Sequence, residues 1–160
     1  MDLGSLIRGK RIDVQIEKEE ELKSSDVKEL ISKVCQDVDI PEPKIRYRME
    51  GDAMYDRGFR DICLPGSSLE EIGQRFRKNC PNRARHFDKI SGCKFLMLSD
   101  KKLGIMVTLH ELGHHYDEVS GRTEALVEES KKVYGHVLDR ELPVENSADN
   151  FALKMIKEVE

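Results

Sequence analysis

Residues 107 to 116 read Val-Thr-Leu-His-Glu-Leu-Gly-His-His-Tyr, and this stretch decides most of what the sequence predicts. On an α-helix a four-residue step turns through about 400°, so His110 and His114 project from one face about one turn apart. Two imidazoles in this arrangement can bind one metal ion. Glu111, next to the first histidine, can stand beside the metal as a base rather than bind it. The HExxH spacing therefore predicts a metal site on a helix.

The residues around this pattern favour a buried helix. Leu103 to Leu109 is apolar and contains no proline, Ser99-Asp100 leads into it, and no helix breaker follows until Ser120-Gly121. Gly113 is unfavourable in a helix interior by about 1 kcal/mol relative to alanine. A glycine at this position indicates a packing or access reason.

A catalytic zinc needs three protein ligands and an open fourth position, so a third ligand must come from elsewhere in the chain. The metzincin pattern would require Gly at position 117 and His at position 120, but the chain has Asp117 and Ser120. The last predicted helix carries Glu145 and, four residues later on the same face, Asp149. We predict that Glu145 binds the metal. Asp149 would accept the second ring N–H of a ligating histidine and fix its tautomer.

Other residues remain candidates for these roles. His136 would give a three-histidine site like that of the SprT-like proteases, and Glu141 or one of Glu124, Glu128 and Glu129 could replace Glu145. An intermediate's oxyanion would need a further donor. The nearby candidates in sequence are Tyr116, His115, His136 and Tyr134. His86 is interpreted as a surface residue.

Two segments carry a resemblance to a known family. Thr108 to His115, and Glu145-Asn146-Ser147-Ala148-Asp149-Asn150-Phe151-Ala152, resemble the ImmA/IrrE family of zinc peptidases, which carries HELGH and a later ExxANxFA. The family usually has Asn where this chain has Asp149, and the Glu-then-Asp spacing is similar to that of thermolysin-like gluzincins. Active members cleave repressor-type transcription regulators. The resemblance therefore implies a zincin-like fold, a zinc cofactor and a selective endopeptidase acting on a protein or peptide substrate.

This site predicts a hydrolytic mechanism. Two imidazoles and one carboxylate leave zinc one net positive charge, which lowers the pKa of its water toward about 7. Glu111 would take the water's proton and pass it to the leaving amine. The alternative hypothesis is a binding or regulatory protein that keeps a peptidase-like groove and sequesters a partner without cleaving it.

Length and charge bound the possibilities further. The chain has 160 residues, enough for one domain spanning 1–160, and it is 38% hydrophobic and 36% charged. Its net charge of −4 argues against direct binding of nucleic acid. Met1 to Lys10 has no apolar run of signal-peptide length, and no stretch of 18 apolar residues occurs. These features predict a cytoplasmic protein without a membrane partner.

The four cysteines, Cys35, Cys63, Cys80 and Cys93, are widely spaced and form no CxxC pair. This spacing indicates neither a zinc knuckle nor a disulfide framework. We interpret them as buried or incidental thiols. The alternative is a thiol that caps the zinc and keeps the enzyme latent, since thiolates bind zinc well.

The remaining pattern predicts an α+β fold, in which a short mixed sheet packs on the HExxH helix and further helices follow. The predicted strands are Arg11 to Glu17, Lys44 to Glu50, Phe59 to Leu64 and Phe95 to Leu98. Helices are predicted from Asp26, from Ser68, from Thr123 with Tyr134, Val137 and Leu138 inward, and from Pro143. Arg75 to Lys89 holds six cationic side chains and reads as a solvated loop, or alternatively as a docking patch for an acidic partner.

Overall fold

Six α-helices, one short 3-10 helix and a three-stranded sheet are formed by residues 25–48, 52–92 and 97–159, the part of the chain that this computed structural model describes. The predicted α+β class is confirmed. The helices are α1 Ser25–Val38, α2 Leu69–Asn79, α3 Pro81–Ile90, α4 Asp100–Val119, α5 Thr123–Val133 and α6 Pro143–Val159. The strands are β1 Lys44–Tyr47, β2 Met54–Asp56 and β3 Asp61–Leu64, and the 3-10 helix is Asp139–Glu141.

The sheet is mixed and has the order β1-β3-β2. Strand β3 pairs in parallel with β1 and antiparallel with β2, so that Ile62 lies between Ile45 on one side and Tyr55 on the other. Every residue of β3 is buried, as expected for the central strand of a sheet covered by helices. The sheet thus leaves β1 and β2 as its edges within the described residues.

Helix α4 is the centre of the molecule. It packs mainly against α2 and α6 and also contacts β2, β3, α1, α3 and α5. The apolar side chains that it buries are Leu103, Met106, Val107, Leu109 and Leu112. Because α4 is covered on several sides, it is apolar around much of its circumference. The prediction of a buried helix is confirmed.

Two glycines allow α2 and α4 to approach closely. A Cβ at Gly73 would lie 1.8 Å from the carbonyl oxygen of Asp100, and one at Gly104 would lie 1.7 Å from that of Leu69. Neither distance is compatible with a side chain. The two helices therefore touch through their backbones, which fixes the beginning of α4.

The predicted helix starts and stops are confirmed where the capping chemistry is strong. The Ser99 side chain accepts a hydrogen bond from the Lys102 N–H at the start of α4, and that of Ser68 accepts one from the Glu71 N–H at the start of α2. Helix α4 ends before Ser120, and Gly121 follows with a φ of 75°. Helix α6 begins at Pro143, as predicted.

The prediction of a solvated loop at Arg75 to Lys89 is wrong. These residues form the end of α2 and α3 up to its last residue but one. Helix α3 buries Ala84 and Phe87, three residues apart, and the buried carboxylate of Asp88 pairs with Arg77. The cationic side chains had concealed this narrow apolar face.

Other predictions differ from the structure in detail. Strand β2 was not predicted, and Phe59 lies outside β3 with 74% of its surface exposed. Tyr134, Val137 and Leu138 are exposed rather than inward, because α5 ends at Val133. Met97 and Leu98 belong to no strand, and Arg11 to Glu17 and Phe95 lie outside the described residues. No helix in the described part is long and apolar enough to cross a membrane.

Candidate metal centre and its cleft

Three side chains from two helices converge where the sequence predicted a metal site. The Nε2 atom of His110 lies 3.2 Å from Nε2 of His114 and 3.1 Å from Oε2 of Glu145. The Nε2 atom of His114 lies 3.6 Å from Oε1 of Glu145. Within the described residues, this is the group of His, Cys, Asp or Glu side chains that comes close enough to share one ion.

These separations fit zinc. Ligand atoms at 2.0–2.1 Å from a tetrahedral centre lie about 3.3 Å from one another. The distance between the two imidazole nitrogens and the two distances from these nitrogens to the Glu145 carboxylate oxygens lie on both sides of that value. The donor set, two imidazoles and one carboxylate, is also one that catalytic zinc uses.

The hydrogen bonds around His110 require a proton or a metal ion between its Nε2 atom and Glu145. The Nδ1 atom of His110 lies 2.8 Å from Oδ1 of Asp149, and because a carboxylate only accepts, Nδ1 carries the proton. In the neutral ring Nε2 is then an acceptor facing the Glu145 carboxylate. Two acceptors at 3.1 Å repel unless a proton or a metal ion lies between them. Burial lowers the pKa of His110, but its hydrogen bonds to Asp149 and Glu145 outweigh burial and raise this pKa to about 9.

The two other groups have the charge states that a metal ion needs. Burial, together with the nearby His110, lowers the pKa of His114 to about 4, so that its imidazole is neutral near pH 7. Burial would raise the pKa of Glu145, but the hydrogen bond from His110 and the two neighbouring imidazoles lower it to about 2. One neutral nitrogen and one carboxylate are therefore ready to bind.

Glu111 lies beside this cluster. It is 2% exposed, and burial raises the pKa of its carboxyl group to about 7, although His110 and Arg83 act in the opposite direction. Its Oε1 atom lies 3.9 Å from Nη2 of Arg83, which is too long for a hydrogen bond. A carboxyl group with a pKa near neutrality can take up and release a proton at physiological pH.

A cleft of about 690 Å³ opens onto these groups. The Glu145 side chain is 30% exposed and that of His114 15%, so both reach solvent from the cleft, while His110 is covered. The residues that line the cleft and bear on its chemistry are Tyr55, Arg83, Glu111, His114 and Glu145. Such a cleft is large enough for several residues of an extended peptide.

The beginning of α6 is held in place by α5. The hydroxyl of Ser130 donates to the carbonyl of Leu126, one turn earlier, and accepts from the backbone N–H of Val144. This satisfies one of the free N–H groups at the start of α6 and fixes the residue next to Glu145. No pattern in the sequence pointed to Ser130, because the contact joins two separate helices.

The other candidate ligands lie elsewhere. His136 is exposed in the turn after α5 rather than in a helix, and Glu141 accepts a hydrogen bond from the Leu138 N–H. Glu124 pairs with Arg57, Glu128 pairs with Lys131, and Glu129 is exposed. None of them belongs to the three-residue group described above.

None of the four oxyanion candidates lines the cleft. The ring of Tyr116 packs against that of Phe151 at a tilt of 30°, and both Tyr134 and His136 are exposed in the turn after α5. His115 is buried, and its Nε2–H donates to the carbonyl of Pro41, so its Nδ1 accepts from the Tyr55 hydroxyl. Sequence reasoning missed Arg83, which does line the cleft and is held by Asp52 and the ring of Phe76.

The prediction that His86 is a surface residue is wrong. Its Nε2 atom lies 2.8 Å from Oδ2 of Asp149, and its side chain is only 17% exposed. The recognisable signal was helical spacing, because Ala84 and Phe87 mark a buried face of α3 next to His86.

The cysteines of the described residues are free thiols. Cys35 and Cys63 are buried, Cys80 is half-buried, and Cys93 lies outside the described part. Burial raises the pKa of Cys35 and of Cys80 to about 11, so both are protonated at neutral pH. No cysteine belongs to the metal-capable group of the described residues.

Comparisons of the chain with protein-family models, with curated proteins and with solved structures gave no significant match.

Proposed function

We propose that this protein is a zinc-dependent endopeptidase with a zincin-like fold that hydrolyses peptide bonds of a protein substrate. The observation that supports this is the convergence of His110, His114 and Glu145, whose donor atoms lie close enough together to bind one metal ion. The buried Glu111 lies beside them, and an open cleft gives access to the group. The resemblance of the two motif segments to ImmA/IrrE peptidases points to the same activity. It suggests a transcriptional regulator as the substrate.

Each residue has a separate task in this proposal. Zinc held by the three side chains would act as a Lewis acid and lower the pKa of a water molecule. Glu111 accepts the proton of the attacking water and later delivers it to the leaving amine, for which a carboxyl pKa of about 7 is suitable. Asp149 keeps the His110 proton on Nδ1, so that Nε2 stays available as a ligand.

Arg83 supplies the positive charge that the predicted oxyanion candidates do not. Its guanidinium has five N–H donors and stays protonated at any physiological pH. Asp52 and the Phe76 ring hold it at the cleft wall near Glu111. We assign it to binding the carbonyl oxygen of the scissile bond, whose negative charge grows during attack.

The sheet edge offers a place for the substrate backbone. Strand β2 is an edge of the sheet within the described residues, and its Met54 and Tyr55 line the cleft. An extended peptide can add to such an edge through main-chain hydrogen bonds. Residues on both sides of the scissile bond would then be held, as an endopeptidase requires.

Metal content and cleavage together test the proposal. We expect about one zinc per chain in the wild type and in Glu111→Gln, and loss of zinc in His114→Ala. Incubation with a proteome-derived peptide library, read by mass spectrometry of new termini, should give cleavage by the wild type and none by Glu111→Gln. Absence of zinc from the wild type would refute the metal site. Zinc without cleavage would favour the alternative of a partner-sequestering protein.

A further inference from the structure

His86 is joined to the candidate metal centre by a chain of two hydrogen bonds. Its Nε2 atom lies 2.8 Å from one oxygen of Asp149, whose other oxygen lies 2.8 Å from Nδ1 of His110. We infer that His86 is a positioning residue of the metal centre, which orients His110 through Asp149 and so sets the affinity for zinc. This inference rests on the metal binding of the proposed function and adds a residue from a third helix.

The chemistry of the Asp149 carboxylate gives the two bonds their direction. A carboxylate has no proton to donate, so both imidazoles must donate to it. Asp149 is 6% exposed, which leaves little room for water to replace either partner. A buried carboxylate oxygen that lacks a hydrogen-bond partner destabilises the folded state, and the carboxylate would rotate toward another donor. His86 satisfies Oδ2, and Oδ1 therefore stays aligned with His110.

Helix α3 also contacts His110 directly. The ring of Phe87, the residue after His86, lies 5.5 Å from the His110 ring in an edge-to-face arrangement. The side chain of Phe87 limits the tilt of the imidazole, and His86 limits the rotation of the carboxylate behind it. One short helix thus restrains His110 in two independent ways, both of which bear on where Nε2 points.

Loss of the His86 hydrogen bond should weaken metal binding without removing a ligand. Loss of an outer hydrogen-bond partner of a ligating group typically lowers metal affinity about 10–100-fold. Because His86 acts through Asp149, we expect about a tenfold loss in His86→Ala. His86→Gln places an amide N–H near the position of Nε2 and should retain most of the affinity. His86→Asn has the same amide on a shorter side chain, does not reach Asp149, and should behave like His86→Ala.

The experiment measures zinc affinity of the full chain by competition with a chromophoric chelator. The variants are His86→Ala, His86→Gln, His86→Asn, Asp149→Asn and the double variant His86→Ala/Asp149→Asn, with the exposed His136→Ala as the matched control. If His86 acts through Asp149, the double variant binds zinc no more weakly than Asp149→Asn alone. Rescue by glutamine but not by asparagine would support the geometry even if the alanine variant did not fold.

The outcomes separate this inference from the proposed function. Wild-type affinity in both His86→Ala and His86→Asn would overturn the inference and leave the metal site intact. Losses that multiply in the double variant would overturn the route through Asp149. A wild-type protein that binds no zinc would overturn the proposed function and the inference together.

Discussion

Gly113 of α4 lies directly against Ala148 of α6. A Cβ at position 113 would be 2.9 Å from the Ala148 Cα, 3.1 Å from its carbonyl oxygen and 3.1 Å from the Cβ of Phe151. This approach brings Glu145, three residues before Ala148, to the two histidines on either side of Gly113. The glycine that weakens the helix by about 1 kcal/mol is thus the residue that allows Glu145, the proposed third ligand, to reach the two histidines.

Gly113→Ala should therefore disturb the site more than it helps the helix. The added methyl group must displace α6, and overpacking of this kind costs about 1–3 kcal/mol against a propensity gain of about 1 kcal/mol. We expect zinc affinity to fall at least tenfold, because Glu145 moves away with α6. Zinc competition and thermal unfolding measure the two effects. Gly58→Ala, whose Cβ would meet only an ordinary contact, is the control. Unchanged zinc affinity in Gly113→Ala would contradict this account.

The metal-free protein should lose stability as the pH rises from 7 to 9. The pKa of His110 in the folded chain is about 9, above its ordinary 6.5, so its bound proton stabilises the fold below pH 6.5, and this stability is lost as the pH rises to 9. The pKa of Glu111 is also raised, from its ordinary 4.5 to about 7, so the proton of this carboxyl group contributes stability that is lost as the pH rises from 4.5 through 7. In the presence of a chelator, we expect the Tm of the protein to fall by about 3 °C or more between pH 7 and 9.

Zinc should remove most of this dependence, because the metal replaces the proton of His110, which contributes the larger part between pH 7 and 9. Below pH 6.5 the lowered pKa of His114, about 4, acts in the opposite direction to the raised pKa of Glu111, so the two contributions offset each other and we expect Tm to change little there. Thermal scans with chelator and with zinc between pH 5 and 9 measure both effects. A metal-free Tm that stayed level or rose from pH 7 to 9 would show that His110 does not hold the shared proton.

Arg83→Ala should impair catalysis while leaving zinc in place. Loss of one donor to a developing oxyanion typically lowers kcat about 10²–10³-fold. Arg83 also lowers the pKa of Glu111, so its removal should shift the acidic limb of the pH–rate profile to higher pH. The measurement uses the library peptide that the wild type cleaves fastest. Arg85→Ala, an exposed arginine on the same helix, serves as the control. A kcat unchanged within twofold would exclude Arg83 from the reaction.

Asp88→Ala should destabilise the fold, although Asp88 itself does not contact the candidate metal site. Asp88 is 8% exposed and accepts hydrogen bonds from two nitrogens of Arg77 and from the Leu98 N–H. The loss of these partly buried bonds should cost about 2–3 kcal/mol, or a Tm lower by roughly 6–10 °C. Glu128→Ala, which removes a surface ion pair with Lys131, should leave Tm unchanged. Equal Tm values for the two variants would contradict the assignment.

The sequence was sufficient for those parts of the site that depend on helical spacing. His110, Glu111 and His114 follow from a four-residue step, and Asp149 follows Glu145 by the same step. The starts of their helices are clearly marked, by the Ser99 N-cap of α4 and by Pro143 as the first residue of α6. The meeting of α4 and α6 could be proposed from the chemistry of zinc, which needs a third ligand.

What could not be predicted depends on contacts between distant segments. His86 and Arg83 are on α3, whose cationic residues concealed a two-residue apolar face, and each finds its partner only after the chain has folded. Strand β2 has three residues, too few for an alternating pattern to stand out. The exposure of Tyr134 and Leu138 follows from the end of α5 at Val133. Gly135, whose φ is 83°, marks this end, but apolar residues continue at helical spacing beyond it and conceal the signal.

The backbone contacts at Gly73 and Gly104 hold one end of the histidine-bearing helix, and the contact at Gly113 holds the other. Such a frame keeps the three donor atoms at fixed spacing before an ion arrives, so it discriminates by ionic radius. An ion with bonds near 2.0 Å fits without rearrangement, whereas calcium, with bonds of about 2.3–2.6 Å and six to eight oxygen partners, would have to force the helices apart. If the proposed zinc site is correct, selectivity for small, nitrogen-preferring ions would thus depend on three positions that carry no side chain at all.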